Sequence, residues 1–454
     1  FFVTQYEGNG AAQRVGRFVP FTDSGVISNS CIFNATTNNY LARTPSSNGS
    51  GTTLTFSCWV KRGLLGLRDI LYNGNITSNS EHLHFDANNK LNYYEAGGGA
   101  RKWNYVTTRT FEDTSKWYHI YVRRDTTDST AADRIQIYVD GERVTAYDTE
   151  TQPALNATGY WNQTSYGHYL GTTGSASYIR GIGYLAEINM VDGSNPAIST
   201  FGLTDTSTGR WIPKALTGIT YGTNGFRLQF GSPSAIGDDT SGNNNDWSVN
   251  DLVASDLTTD SPTQNHATLN VNPTASGGTL SEGNLKLVTN NTGYNVKYAT
   301  LKPTSGKYYA EFTIGSGGAA MIGVQDANVL NTATSSYFPY GYGYGWYEGN
   351  GNVYDENVAV VLSGTSYTSG DVIAMALDLD NQTLKWYKNN SLAYTAGLNG
   401  TDIVMAVGDY ANADDATITC NFGQKSFTYT PPTGFVALQQ DNLPETAKGV
   451  SSFV

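Results

Sequence analysis

The stretch "GDVIAMALDLDNQTLKWYKNNSLAY", Gly370 to Tyr394, decides the fold. Its run "DVIAMALDL" is apolar on both faces, as expected of a strand covered from both sides in the middle of a sandwich. Asp380 and Asn381 read as a turn, "TLKWYK" as a returning strand, and Asn389-Asn390 as a tight turn into a third. An earlier stretch, "ADRIQIYVDGERVTAY" (Ala132 to Tyr147), has the same form with an Asp-Gly turn. Asp-Gly is a strong hairpin signal because both central positions can take positive φ.

Moving outward, period two dominates. In "TLTFSCWVKR" Leu54, Phe56, Cys58 and Val60 share one face, and Thr55, Ser57, Trp59 and Lys61 the other. "KWYHIYVRRD", "DRIQIYVDG" and "GYLAEINMVDG" belong to the same series, which closes near Gly193. Residues 1–28 are glycine-punctuated and read as an N-terminal arm or attachment segment. Between 231 and 280, "GSPSAIGDDTSGNNNDWSVNDL" and the following Ser/Thr/Pro-rich segment read as a linker. Strands resume at "GNLKLVT", continue through "GKYYAEFTIG" to "DATITCNFG" and "GFVALQQ", and end in a short polar tail. The expected fold is all-β, two antiparallel β-sandwiches in series: 29–230 and 281–440, with a tail over 441–454.

Composition agrees with this pattern. The chain has 454 residues, long for one core, so two domains are expected. Only 15% of residues are charged, while Gly (50) and Tyr (31) are abundant. A net charge of −12 repels phosphates, and no basic run interleaves with aromatics, so no nucleic-acid partner is expected. No apolar run approaches the roughly 20 residues needed to cross a bilayer, so no membrane insertion is expected. Cys31, Cys58 and Cys420 have neither metal-like nor paired spacing, and Cys58 reads as a small core residue. The start at Phe1, without Met or signal peptide, is expected of a processed or a partial N-terminus. Nine Asn-x-Ser/Thr sequons occur from Asn34 onward, a number that an Asn- and Thr-rich chain generates by chance.

The phrases themselves carry a resemblance. "LTFSCWVKR", "KWYHIYVRRD", "RIQIYVDGERV" and "GYLAEINMVDG" resemble a laminin G-like, concanavalin-type jelly roll. "SGKYYAEFTIG", "MIGVQD", "GYGYGWYEGNGNVYDENVAV", "GDVIAMALDLDNQTLKWYKNN" and "CNFGQKSFTYTPPTGFVAL" resemble a SPRY domain, another concanavalin-like sandwich. "STGRWIPKALTGITYGTNGFRLQF", "DDTSGNNNDWSVNDL" and "SPTQNHATLNVN" are similar to connecting segments of bacteriophage tail-fibre-type virion proteins. The resemblance covers nearly the whole chain from about residue 30, and such proteins often continue past the "NLPE" phrase into further repeats. It implies a virion, extracellular location, a host cell-surface glycan or receptor and other virion proteins as partners, and a homo-oligomer, with a trimer as the habit of phage fibres.

Several constellations could carry chemistry. Glucanases of this fold place Glu-x-Asp-x-Glu or a near variant on one strand; "AEINMVD" offers Glu187, Asn189 and Asp192. The middle acid is an amide and the distal acid is short, so the pair misses the spacing that retaining chemistry needs. "EHLHFD" aligns His82, His84 and Asp86 as a partial transition-metal set that nothing nearby completes, so a cross-strand polar face is expected. Asp238, Asp239 and Asp246 lack the spacing of an EF-hand and read as an Asx-turn-rich connector. No Gly-x-Ser-x-Gly elbow or phosphate loop occurs. Laminin G-like relatives sometimes bind rim calcium, but neither metal nor cofactor is predicted here.

Aromatics remain, because sugars offer C–H faces that stack on rings and hydroxyls that bond to flanking amides. In "GYGYGWYEGNG" Tyr342, Tyr344 and Trp346 share a face expected to pack, leaving Tyr340 and Tyr347 for the surface. "TGYWNQTSYGHY" (Thr158 to Tyr169) reads as a loop that offers Trp161 and Tyr166. Those four are the candidate ligand-binding residues. The expected function is a non-enzymatic virion tail fibre or appendage that recognises a host glycan. The alternatives are a capsid decoration or head fibre with an assembly role only, and a polysaccharide depolymerase.

Overall fold

Both hairpin turns form as the residues demand. Asp140 and Gly141 stand at φ 51° and 83°, and Asn389 and Asn390 at 47° and 70°. Two consecutive positive φ values match the right-handed twist of the flanking strands. Asp378 bonds through its carboxylate to the backbone N–H and side-chain amide of Asn381, which makes Asp380-Asn381 a turn. The strand between these features, Val372–Asp378, lies mid-sheet between Lys307–Ile314 and Thr383–Lys388. Ile373, Met375 and Leu377 are buried on one face; Ala374 and Ala376 pack with Tyr309, Tyr387, Phe427 and Phe435 on the other. Covering of both faces explains why this strand does not alternate.

The computed structural model describes residues 25–34, 39–74, 79–98, 100–173, 181–206, 208–271, 277–290, 295–327, 338–339, 343–355, 360–400, 402–409 and 415–444. Most of the expected N-terminal arm, Tyr340, Tyr342 and most of the expected tail lie outside the described residues. The fold is all-β, in two units. Among the described residues no helix is long and apolar enough to cross a membrane.

The first unit comprises residues 25–112 and 116–263. One of its sheets runs in the order Glu142–Arg143, Ile135–Val139, Trp117–Asp125, Thr53–Arg62, Gly183–Asp192, Ser30–Phe33, Leu257–Thr258, with Phe226–Leu228 also on Gly183–Asp192. The other runs Tyr147–Thr151, Ala100–Thr110, Lys90–Gly97, Ser80–Phe85, Arg68–Gly74, His168–Leu170, Tyr40–Arg43, Ser248–Asn250. Leu54, Phe56, Cys58 and Val60 from the first sheet meet Leu71, Leu83, Tyr93 and Trp103 from the second in one core. Each fully buried aliphatic or aromatic side chain there stabilises the fold by about 1.5–3 kcal/mol. The three cysteines are free and buried.

The expected linker needs correction over 231–263. Ser248–Asn250 adds an edge strand beside Tyr40–Arg43, and Leu257–Thr258 one beside Ser30–Phe33. Ile236, Trp247 and Leu252 join the core. These apolar residues are too widely spaced to show a period, so the segment looks like connection while closing the first sandwich. The polar face of Thr53–Arg62 is also covered: Thr55 bonds to Ser194 and Asn195, Trp59 packs on His119, and Lys61 pairs with Asp260.

The second unit holds residues 113–115 and 264–444. Its sheets run Thr279–Ser281, Lys286–Val288, Thr417–Asn421, Lys307–Ile314, Val372–Asp378, Thr383–Lys388, Ser391–Gly397, and Val296–Tyr298, Ile403–Asp409, Ala320–Asp326, Tyr344–Tyr347, Val353–Asp355, Val360–Leu362. Trp386 of the first spans the core to donate its Nε1–H to the Ile322 carbonyl of the second at 3.1 Å.

Candidate functional site

In the first unit, cross-strand register builds a feature that no single strand reveals. Tyr169 stands opposite Tyr72, Tyr72 opposite His82, His82 opposite Tyr94, and Tyr94 opposite Asn104. Their neighbours Leu170, Leu71, Leu83, Tyr93 and Trp103 point into the core, so strict alternation sends this set to the other face. Tyr40 extends the row, on the strand that pairs with His168–Leu170. Ring centroids follow at 5.9 Å (Tyr40–Tyr169), 6.3 Å (Tyr169–Tyr72), 5.1 Å (Tyr72–His82) and 5.4 Å (His82–Tyr94). Five adjacent strands contribute, and at about 4.8 Å per strand the row spans about 19 Å, the length of a short oligosaccharide.

Polar groups are set into this row. His82 Nε2 lies 2.6 Å from Asp69 Oδ1, and its Nδ1 lies 3.2 Å from the Tyr94 hydroxyl. His84 stacks on His82 at 4.1 Å and meets Tyr94 edge-on at 5.7 Å. Arg101, exposed, lays its guanidinium 4.2 Å from the centre of the Tyr94 ring. The side-chain oxygens of Asn92 and Asn104 are buried without a hydrogen-bond partner among the described residues. Such acceptors carry a desolvation cost. Tyr40, Tyr94 and Tyr169 are half-buried, while Tyr72 and His82 form the floor.

The residues singled out from sequence fall elsewhere. Trp161 requires correction: it is a core residue, packed on Phe56 at 5.8 Å and Tyr93 at 5.1 Å. Its indole donates to the Glu81 carbonyl at 3.2 Å, and its backbone N–H to the Glu81 carboxylate at 2.9 Å. Tyr166 is half-buried against Tyr160 at 5.0 Å and accepts a bond from Asn79. In the second unit Tyr344 and Trp346 are buried and Tyr347 is half-buried, 6.5 Å from Tyr354. Tyr340 lies outside the described residues. The row was missed because alternation in "DILYNG", "SEHLHF" and "KLNYYEAG" marks Tyr72, His82, His84 and Tyr94 as one-sided, but only register sets them side by side.

The possible catalytic and metal groups are occupied. Glu187 sits in a bulge at φ 46° and accepts from Arg227 Nε at 2.5 Å, while Asn189 accepts from the Tyr221 hydroxyl. Asp192 caps two loops by accepting from the backbone N–H groups of Ser50 and Asn224. Asp86 lies beyond the end of Ser80–Phe85 and caps a turn at Asn88 and Lys90, away from a shared site with His82 and His84. Asp239 accepts from the N–H groups of Arg227, Ser241 and Asn245, and Asp246 from that of Asp239. Among the described residues no group of three or more His, Cys, Asp or Glu is arranged to hold a metal.

One pair invites a nucleophile reading: Ser57 Oγ lies 2.9 Å from His119 Nε2. Trp211 donates its indole N–H to His119 Nδ1 at 3.0 Å, so a neutral ring carries its proton on Nε2. That nitrogen donates to Ser57 and cannot take the serine proton. Burial pushes the His119 pKa down to about 3, which keeps the ring neutral.

Comparison with known proteins finds a family model that matches part of the first unit. The family model for the concanavalin A-like lectin/glucanases superfamily matches residues 35–182, which contain every ring of the row. No curated protein matches the chain. Solved structures similar to it include the SPRY domain of human HERC1, 20% identical, covering 31% of this chain and 91% of that one at a TM-score of 0.25. A putative carbohydrate binding protein from Bacteroides ovatus is 15% identical, covering 51% and 59%, at 0.32. Domains LG4-5 of the mouse laminin alpha1 chain are 9% identical, covering 98% and 100%, at 0.30.

Proposed function

We propose that this chain is a glycan-binding, non-enzymatic protein of the virion, of the tail-fibre or appendage type. It displays the ring row of its first unit outside the particle to a host-surface glycan. The row carries this reading: contiguous rings interrupted by amides, a carboxylate and a guanidinium offer both the stacking and the hydrogen bonding that a saccharide requires. The lectin-type family match over the same residues supports it, and the connecting phrases support the virion setting. Assembled as a trimer with other virion proteins, weak sites would gain roughly 10² to 10⁴ in avidity. The role needs neither calcium nor a cofactor.

A second reading, capsid decoration with an assembly role, rests on the second unit. There the edge strands Val360–Leu362 and Ser391–Gly397 expose Val360, Val361 and Leu392. A virion reconstruction that finds the chain on the capsid with its first unit occluded would favour it. On a glycan array the purified chain is expected to retain a discrete subset of glycans and to leave their chain lengths unchanged. Depolymerisation abolished by Glu187→Gln would overturn the non-enzymatic assignment.

A further inference from the structure

Lys61 and Asp260 form a buried pair that differs chemically from the other ion pairs. Both side chains are 0% exposed, with Nζ 2.8 Å from Oδ2. Each other lysine–carboxylate pair among the described residues has at least one partly exposed partner, so water competes there. The buried Arg124–Glu81 pair carries a guanidinium, which is no nucleophile. Lys61 lies between Trp117 and Tyr184 in the sheet register. Its ammonium stands 5.6 Å from the Tyr184 ring centre. The Trp117 indole donates to Asp260 Oδ1 at 3.1 Å, and the Ser30 hydroxyl fixes the Asp260 carbonyl at 2.6 Å.

These contacts hold the amine within hydrogen-bond distance of the carboxyl, at a place closed to bulk solvent. We propose that Lys61 and Asp260 condense into an intramolecular amide bond. The Nζ lone pair attacks Cγ, the Nζ–Cγ bond forms and the Cγ–Oδ2 bond breaks. Oδ2 leaves as water, carrying the two protons that Nζ gives up, so neither oxidant nor reductant is needed. Trp117 is a positioning residue: its N–H points at Oδ1, where negative charge develops in the tetrahedral intermediate. The bond joins residues 199 apart, tying strand Thr53–Arg62 to the end of the first unit.

Peptide mapping of the full chain after neutral incubation tests this directly. The expected result is a joined species containing Lys61 and Asp260, lighter than the two peptides by one water, with no tryptic cleavage after Lys61. Asp260→Asn reaches the same product by releasing ammonia, so its joined species has the wild-type mass; Lys61→Arg gives separate peptides. Recovery of the wild-type peptides separately, with cleavage after Lys61, overturns the proposal whatever the variants do.

Discussion

Lowering the pH from 7 to 5 will withdraw about 4 kcal/mol of stability from the first unit. His119 and His168 are buried, and burial pushes both pKa values down to about 3; for His168 the nearby Arg43 charge adds to this. In the unfolded chain each titrates near 6.5. Below that pH the unfolded chain takes up protons that the folded unit refuses. The stability is therefore whole above about 6.5 and is lost progressively as the pH falls towards 3. At pH 5 each histidine accounts for roughly 2 kcal/mol, a large share of a typical domain's 5–15 kcal/mol.

The second unit will respond with the opposite sign. Burial raises the Asp409 carboxyl to about 6, against hydrogen bonds from Asn295 that pull it down. A raised acid favours the fold below its unfolded value near 3.8 and loses that contribution as the pH climbs through about 6. Calorimetry at pH 7 and pH 5 should show two transitions, the first unit's falling markedly and the second's holding or rising. His168→Gln should roughly halve the first unit's acid response, leaving the share of His119. A first transition insensitive to pH over this range would contradict the buried neutral histidines.

Removing the Glu81 carboxylate will cost the first unit about 3–5 kcal/mol, lowering its melting temperature by roughly 10 °C. Glu81 is fully buried and accepts from Arg124, from the Tyr93 hydroxyl at 2.5 Å, and from the backbone N–H groups of Tyr160 and Trp161. Glu81→Ala would strand the Arg124 guanidinium without a counter-charge at 0% exposure and cut the loop at Tyr160 from the sheet. Glu81→Leu combined with Arg124→Met should recover much of the loss, because the buried charge leaves with its partner. A single variant within 1 kcal/mol of wild type would show that the pair is not the anchor described here.

The fold was legible because its signals are local. Asp140-Gly141 and Asn389-Asn390 announce their own turns, and Leu54, Phe56, Cys58 and Val60 announce a face. The closing segment was not legible, since Ile236, Trp247 and Leu252 enter the core from irregular backbone without a period. Trp161 misled for a related reason: a tryptophan amid Gly, Asn and Thr looks like a surface loop. Its burial follows from Glu81, far off in sequence, whose carboxylate ties the loop down. The ring row is the least legible feature. Each strand gives it one ring or two, and only pairing of five strands makes a site.

The most direct measurement is glycan affinity of row variants beside loop variants, on whichever glycan the wild type retains. Tyr94→Ala and Tyr169→Ala each remove a stacking surface worth about 1.5 kcal/mol, so each should weaken binding about tenfold. Tyr166→Ala and Tyr347→Ala, outside the row, should bind as the wild type does. Row variants with wild-type affinity, and loop variants that lose it, would contradict the site assigned here.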